Sequence, residues 1–174
     1  MAFGFTDLTP EGKRYFAELK KLAEMEVVVG FQSDGADYEG GASVAEVAAY
    51  NELGSSDTPA RPFMRQSFEK HEAELKAACE QVNRTLASGG TVQEALGRLG
   101  VIAKALVQEE IVEGSFEPNA PSTIKKKGSD KPLIDTGTMR QSVTYVVRKA
   151  GEGELTYGFS TSCTGSAGPG CRRS

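Results

Sequence analysis

The chain lacks most of the residues that would point to metal or acid–base chemistry. Its 174 residues include no Trp and one His. A single histidine, His71, cannot form a His-based metal cluster, and no Ser, His and Asp stand at a spacing typical of a catalytic triad. His71 lies among Glu and Lys residues in a helical pattern, so we expect it to be solvent-exposed. The sequence therefore predicts no catalytic, cofactor-binding or metal-binding residues.

The three cysteines do not form a recognisable pattern. Cys79 lies in a helical stretch, where a small buried thiol is the expected state. Cys163 and Cys171 lie in a Gly/Ser-rich segment, at a spacing that fits no zinc module. Whether these last two cysteines form a disulfide is left open.

Long apolar runs and an excess of positive charge are also missing. No apolar run reaches the roughly 18–20 residues that a membrane-spanning helix needs. Residues 1–7 have neither the basic segment nor the apolar core of a signal peptide. The formal net charge is −4, which argues against nucleic acid as the main partner. We expect synthesis and assembly in a cytoplasm, without membrane contact.

The composition that is present predicts a globular α+β chain. Hydrophobic residues make up 39% and charged residues 25%, enough for one core. We predict a single α+β domain over residues 1–160 and a flexible Gly/Ser-rich tail over residues 161–174. The domain is expected to contain a small antiparallel β-sheet packed by long amphipathic helices, with one long irregular loop.

Hydrophobic periodicity and capping residues locate these elements along the chain. Capping boxes are predicted where Ser43 and Thr91 precede helices, and the last two strands are predicted to form a β-hairpin. Helices are predicted over residues 9–23, 43–53, 62–86 and 91–113, and strands over residues 26–31, 142–148 and 154–160.

The long loop spans residues 115–131 and contains three consecutive lysines, Lys125, Lys126 and Lys127. Loops of this length inside a compact domain tend to be functional. We interpret the lysine run as a solvated loop and a possible interface. Contact with an acidic protein surface, or a small DNA-binding or partner-binding module, is the alternative.

The next segment contains Asp135, Thr136 and Gly137, the order in which retroviral-type aspartic proteases present their catalytic carboxylate. Such a protease needs two carboxylates that share one proton, and surroundings that are almost entirely β. Here two long helices and a loop rich in Pro and Lys precede the segment. We therefore interpret it as a hinge in which Asp135 and Thr136 cap a helical turn and Gly137 bends the backbone. A protease using Asp135 is the distant alternative.

Two blocks of sequence together resemble the neck and tail-completion proteins of tailed bacteriophages, including the virion-morphogenesis proteins of Mu-like phages. The resemblance extends roughly from Val27 to Phe159. The chain departs from the family pattern in having Leu53 and Met139 where Phe and Leu are usual. The first block comprises residues 44–54 (VAEVAAYNELG) and 59–65 (PARPFMR), and the second comprises residues 119–124 (NAPSTI) and 133–143 (LIDTGTMRQSV).

The resemblance implies a structural virion protein at the head–tail junction that joins or finishes the tail as a ring of copies. Its partners would be itself and other phage neck and tail proteins, and DNA contact would be limited to DNA passing through the channel. A tail terminator or a head-side connector is the alternative. The residues expected to serve as a structural or interface motif are Pro59, Arg61, Pro62, Phe63, Asp135, Thr136, Gly137 and Arg140.

The turn before the third predicted helix also has an interpretation from its residues alone. Pro59 and Pro62 would fix the entry into that helix, and Phe63 would fill the core. Arg61 would reach a carboxylate.

Overall fold

The computed structural model describes residues 8–32, 37–38, 41–152, 157–161, 163 and 172–173. Over these residues the chain has the predicted α+β architecture, with helices around a small antiparallel sheet. No helix in this part of the chain is both long and apolar enough to cross a membrane. The elements are α1 Pro10–Glu24, β1 Met25–Phe31, α2 Val44–Leu53, α3 Phe63–Lys70, α4 Glu72–Ala87, α5 Val92–Glu113, α6 Pro121–Lys127, α7 Thr138–Ser142, β2 Thr144–Lys149, β3 Tyr157–Thr161 and β4 Arg172–Arg173.

The sheet has the strand order β2-β1-β3-β4, so β1 lies between the two strands that were predicted to form a hairpin. Val27 of β1 lies opposite Val147 on one side and Thr161 on the other, and both pairings are antiparallel. β2 ends beside Met25, whereas β3 begins beside Phe31. The predicted hairpin is therefore wrong, because an alternating pattern identifies a strand without identifying its partner.

A disulfide joins Cys79 of α4 to Cys163, two residues beyond the end of β3. The two Cα atoms lie 5.4 Å apart, within the usual range for a disulfide. The prediction of a free buried thiol at Cys79 is wrong, and its side chain is only partly buried. Cys171 and most of the predicted tail lie outside the described residues, although β4 pairs with β3 inside that segment.

The hydrophobic core lies between β1 and the helices, chiefly α5. Val27, Val29 and Phe31 alternate along β1 and join one buried cluster with residues along the whole of α5. Gly100 allows α5 to approach β2 closely, because a Cβ at this position would overlap the ring of Tyr145. A side chain at position 100 would push the helix away from the sheet.

The predicted helix over residues 62–86 is interrupted at His71, where α3 ends and α4 begins. His71 is 8% exposed, so the prediction of a solvent-exposed side chain is wrong. Its Nδ1 lies 2.9 Å from Glu74 Oε1, and its buried Nε2 has no hydrogen-bond partner among the described residues. A one-residue interruption leaves the helical periodicity of the apolar residues nearly intact, which is why the pattern concealed it.

The predicted caps at Thr9 and Thr91 are present, whereas the predicted cap at Ser43 is not. The hydroxyls of Thr9 and Thr91 accept backbone N–H groups three residues further along, as predicted. Ser43 precedes α2, but its side chain makes no capping hydrogen bond. Helix α5 is also capped by a residue of another helix. Glu18 of α1 accepts the backbone N–H of Val92 at 2.9 Å, and this bond links α1 to the start of α5.

Candidate functional site

The two sequence blocks meet at a surface groove between α2 and α6, with a cavity volume of about 490 Å³. Tyr50 and Asn51 of α2 line it together with Thr123 and Lys127 of α6. Asp135, from the turn before α7, lines it as well. We call this feature the α2–α6 groove. Residues distant in sequence therefore form one continuous surface.

Arg61 lies in this groove and is a buried residue, at 6% exposure. Its Nε donates to the backbone oxygen of Glu117 at 2.8 Å, and one terminal nitrogen donates to the oxygen of Pro118 at 3.2 Å. The same nitrogen donates to Asn119 Oδ1 at 3.3 Å, and the other donates to Asn51 Oδ1 at 3.4 Å. Arg61 of the first block thus holds the start of the second block by several hydrogen bonds.

The prediction that Arg61 reaches a carboxylate is wrong, since its partners are carbonyl and amide oxygens. Among the described residues, no carboxylate forms an ion pair with it. Burial lowers the pKa of the guanidinium, and the charge of Glu117 opposes that effect. The planar fork of an arginine suits this role because it can donate to several oxygens at once.

Asn119 extends the network to the far end of the α6 segment. Its Nδ2 donates to the backbone oxygens of Asp130 and Lys131, at 3.3 and 3.1 Å. These bonds bring residues 119 and 131 together, so the chain between them leaves the body of the protein and returns to the same place. We call residues 119–131 the α6 loop. One buried amide, oriented by Arg61, closes its base.

The predicted irregular loop is present, but α6 forms inside it and no residue of α6 is buried. Lys125 and Lys126 are exposed and Lys127 is partly buried, all in the last turn of a helix, where positive charge is favourable. The lysine run, interpreted from the sequence as a solvated loop, therefore lies in a short helix, and two of its three side chains are exposed. Gly128 ends the helix with φ +71°.

Besides Arg61, two other ionisable groups that line the α2–α6 groove have a shifted pKa. Burial lowers the pKa of Lys127, an effect opposed by Asp135 and reinforced by Arg61. Burial raises the pKa of Tyr38, and the charge of Asp135 adds to that shift, whereas a hydrogen bond with the Met139 backbone opposes it. The groove therefore combines aromatic surface with charges of both signs, which suits recognition of a protein surface.

The segment from Asp135 to Gly137 is a turn that leads into α7. Gly137 precedes α7 with φ +82°, and α7 makes the predicted helical turn. Asp135 and Thr136 are exposed and neither is the N-cap residue, so that part of the prediction is wrong. The exposed Arg140 contributes its backbone oxygen, which accepts a hydrogen bond from Gln108 Nε2 at 2.9 Å.

The proline-flanked turn of the first block behaves largely as predicted. Pro59 is exposed on the groove and Pro62 precedes α3. Phe63 is fully buried and meets Phe31 edge to face at 6.2 Å, so it fills the core. Gly54 has φ +77°, and a Cβ there would lie 2.9 Å from the Ala60 backbone nitrogen. This close approach makes glycine necessary at the start of the turn.

Glu52 is a functional side chain that the sequence interpretation missed. It is 5% exposed, and its two carboxylate oxygens accept the backbone N–H groups of Met64 and Arg65 at 2.8 and 3.1 Å. It therefore caps α3 from the end of α2. The available signal was an acidic residue in the last turn of a mostly apolar helix, where a negative charge is unfavourable unless it has a partner.

The outer face of α2 leaves two large apolar side chains in solvent. Tyr50 is 63% exposed and Leu53 is 56% exposed. Because they stand three residues apart on one helix, they lie on the same face. This apolar face borders the α2–α6 groove, to which Tyr50 also belongs.

Comparison of the chain with protein-family models, with curated proteins and with solved structures finds no match. Within the described part of the chain, no group of three or more His, Cys, Asp or Glu side chains is arranged to hold a metal ion.

Proposed function

We propose that the protein is a non-enzymatic structural component of a tailed-bacteriophage virion. It acts at the head–tail junction, in the neck or in tail completion, and assembles there as a ring of copies. A tail terminator or a head-side connector would share the same surfaces and would differ only in its position in the particle.

The observation that carries this proposal is the contact between Arg61 and Asn119. Each residue comes from one of the two blocks that resemble the phage proteins, and they are joined by a buried hydrogen bond. Their other bonds hold the α6 loop against the body of the protein. The polar residues of both blocks therefore serve to present a surface segment. Such a role suits a protein whose work is to bind neighbouring subunits.

The test is to remove the gene from a phage that encodes this chain and to image the particles by electron microscopy. We expect filled heads and tails that are unjoined or have irregular ends, with normal virions restored by the wild-type protein supplied in trans. Supplying Asp135→Asn should still restore joined virions, because the proposal gives this carboxylate no catalytic role, whereas an aspartic protease would lose its activity completely. Normal, fully joined tails in the absence of the protein would refute the proposal.

A further inference from the structure

We propose that the outer face of α2, together with the lysines of α6, docks onto an acidic groove beside α3 and α5 of a second copy of this chain. The inference deepens the proposed function, on which its biological setting rests, by naming the two surfaces through which copies would associate.

Helix α2 has apolar side chains both on the side that faces the core and on the side that faces solvent. Its inward side buries Val44, Ala45 and Ala48 almost completely, and its outward side carries the exposed Tyr50 and Leu53, with Glu46 one turn before Tyr50. A helix that is apolar around most of its circumference is normally covered on all sides. In the isolated chain only one side of α2 is covered, so the other side is suited to a partner.

Helix α6 is held in place by hydrogen bonds at its base and not by packing against the core. No residue of α6 is buried, so the core does not stabilise this helix. The Asn119 amide closes the loop at its base, and Lys127 Nζ donates to the Lys131 oxygen at 3.2 Å. Lys125 and Lys126 are exposed. Tyr50 and Lys127 line one groove, so one apolar side chain of α2 and the last lysine of the run share a surface.

The charge of a second groove identifies another copy of this chain as the binding partner of this surface. The chain carries a second groove, of about 380 Å³, lined by Glu69, Glu110 and Glu113 around Lys70. Lys70 Nζ lies 3.0 Å from Glu110 Oε2, and Glu109 and Glu113 also act to raise the pKa of this lysine. One ammonium group among four carboxylates leaves an excess of negative charge. This excess complements the lysine run of α6.

The two surfaces differ, so the contact between copies would be head to tail. Such a heterologous contact produces a closed ring when the rotation between copies closes, and a filament when it does not. A second copy fits these observations better than a nucleic acid, because phosphates would leave the apolar side chains of α2 unused. Electrostatic attraction would favour the correct register, and burial of Tyr50 and Leu53 would contribute affinity.

The experiment is a charge reversal with exchange between two variants. One variant carries Lys125→Glu and Lys126→Glu, and the other carries Glu109→Lys and Glu113→Lys. Size-exclusion chromatography with light scattering is run on each variant, on the wild type and on an equimolar mixture. A control with Lys13→Glu and Lys20→Glu makes the same change of charge on α1. Circular-dichroism melting curves verify that every variant is folded.

We expect the wild type and the α1 control to assemble, and each reversed variant alone to associate at least about tenfold more weakly. The equimolar mixture should assemble again, because each reversed surface then meets an opposite charge. A third variant carries Tyr50→Ser and Leu53→Ser. Like each charge-reversed variant alone, it should be dissociated. Assembly of the wild type should weaken as salt is raised.

The inference is overturned if the wild type is monomeric at every concentration, if the reversed variants assemble as the wild type does, or if the mixture fails to assemble. It is also overturned if the lysine variant loses binding to a short DNA duplex while its self-association is unchanged. If the self-association experiment overturns this inference, the phage deletion experiment still tests the proposed function independently. Normal virions without the protein would instead refute the proposed function while leaving a solution assembly intact.

Discussion

Helices α5 and α6 lie close together in sequence, yet the protein holds them by opposite means. Residues are buried in α5 from Val92 to Ile111, on the faces that meet the sheet and the neighbouring helices. None is buried in α6. A helix of seven residues is too short to be stable by itself in water. The first is therefore maintained by burial of apolar surface, and the second by the few hydrogen bonds that close its loop.

Helix α5 therefore belongs to the part of the protein that stabilises the fold, and α6 belongs to the part that is exposed to other molecules. Substitution in α5 should act on the whole fold, because its side chains contact β1, β2 and several helices. Substitution in the α6 loop should act locally. Three measurements would test this difference between α5 and α6.

The largest effect is expected from truncating the same kind of side chain in the two helices. Leu99 of α5 is 1% exposed, and Leu99→Ala should lower the free energy of unfolding by about 3 kcal/mol through lost burial and a cavity. Ile124→Ala in α6 is the matched control and should cost less than about 1 kcal/mol. Urea unfolding measures both. Equal losses would mean that α6 contributes to the core and would remove the contrast.

A smaller and more localised effect is expected from Asn119→Ala. The change removes the amide that closes the α6 loop, at a cost of about 1–2 kcal/mol for lost buried hydrogen bonds. Hydrogen exchange should quicken in residues 121–127 far more than in α5. Asn119→Asp keeps an acceptor for Arg61 but loses the donor, so it should quicken exchange in α6 as well. Unchanged exchange in α6 would show that the loop is held by other contacts.

The smallest effect is expected from Glu18, a polar contact within the well-buried region. The hydrogen bond from Lys21, followed by that from the Val92 N–H, lowers the pKa of this carboxyl. Because the folded state binds the proton less tightly than the unfolded chain, the stabilisation is present above the ordinary pKa of 4.5 and is lost as pH falls through the lowered value. Glu18→Gln should therefore cost about 1 kcal/mol at neutral pH.

The loss caused by Glu18→Gln should shrink as pH falls below 4.5, because the unfolded chain then binds a proton at a carboxyl that resists it in the folded protein. Thermal unfolding of both proteins at pH 7 and pH 3 measures this, with Glu24→Gln as a control on the same helix. A cost that stays the same at both pH values would show that the carboxylate charge is not what stabilises the start of α5.

Sequence reasoning located α5 well, because Thr91 caps its start, Gly114 follows its end and the apolar stripe between them is continuous. It failed at His71, where a single residue interrupts a helix without disturbing the stripe. It also failed for the order of the strands. Val27 is equally compatible with either neighbour, and only the folded chain shows that it pairs with both.

The candidate site was predicted in part. Arg61 and Phe63 were recognised as important, and Phe63 is in the core as expected. The partners of Arg61 could not all be predicted, because two of them are the backbone oxygens of residues 117 and 118. Every residue has such an oxygen, so the side chains at these positions do not indicate the contact. The capping role of Glu52 was missed for the same reason, since its partners are backbone N–H groups across a turn.

The α+β class and the positions of most helices and strands could be predicted from the amino-acid sequence. These follow from local periodicity and capping, which act over a few residues. The central position of β1, the disulfide between Cys79 and Cys163 and the contact of Arg61 with Asn119 became visible only in the folded chain. Such pairings join distant residues, and they form only when burial of the shared core brings those residues together.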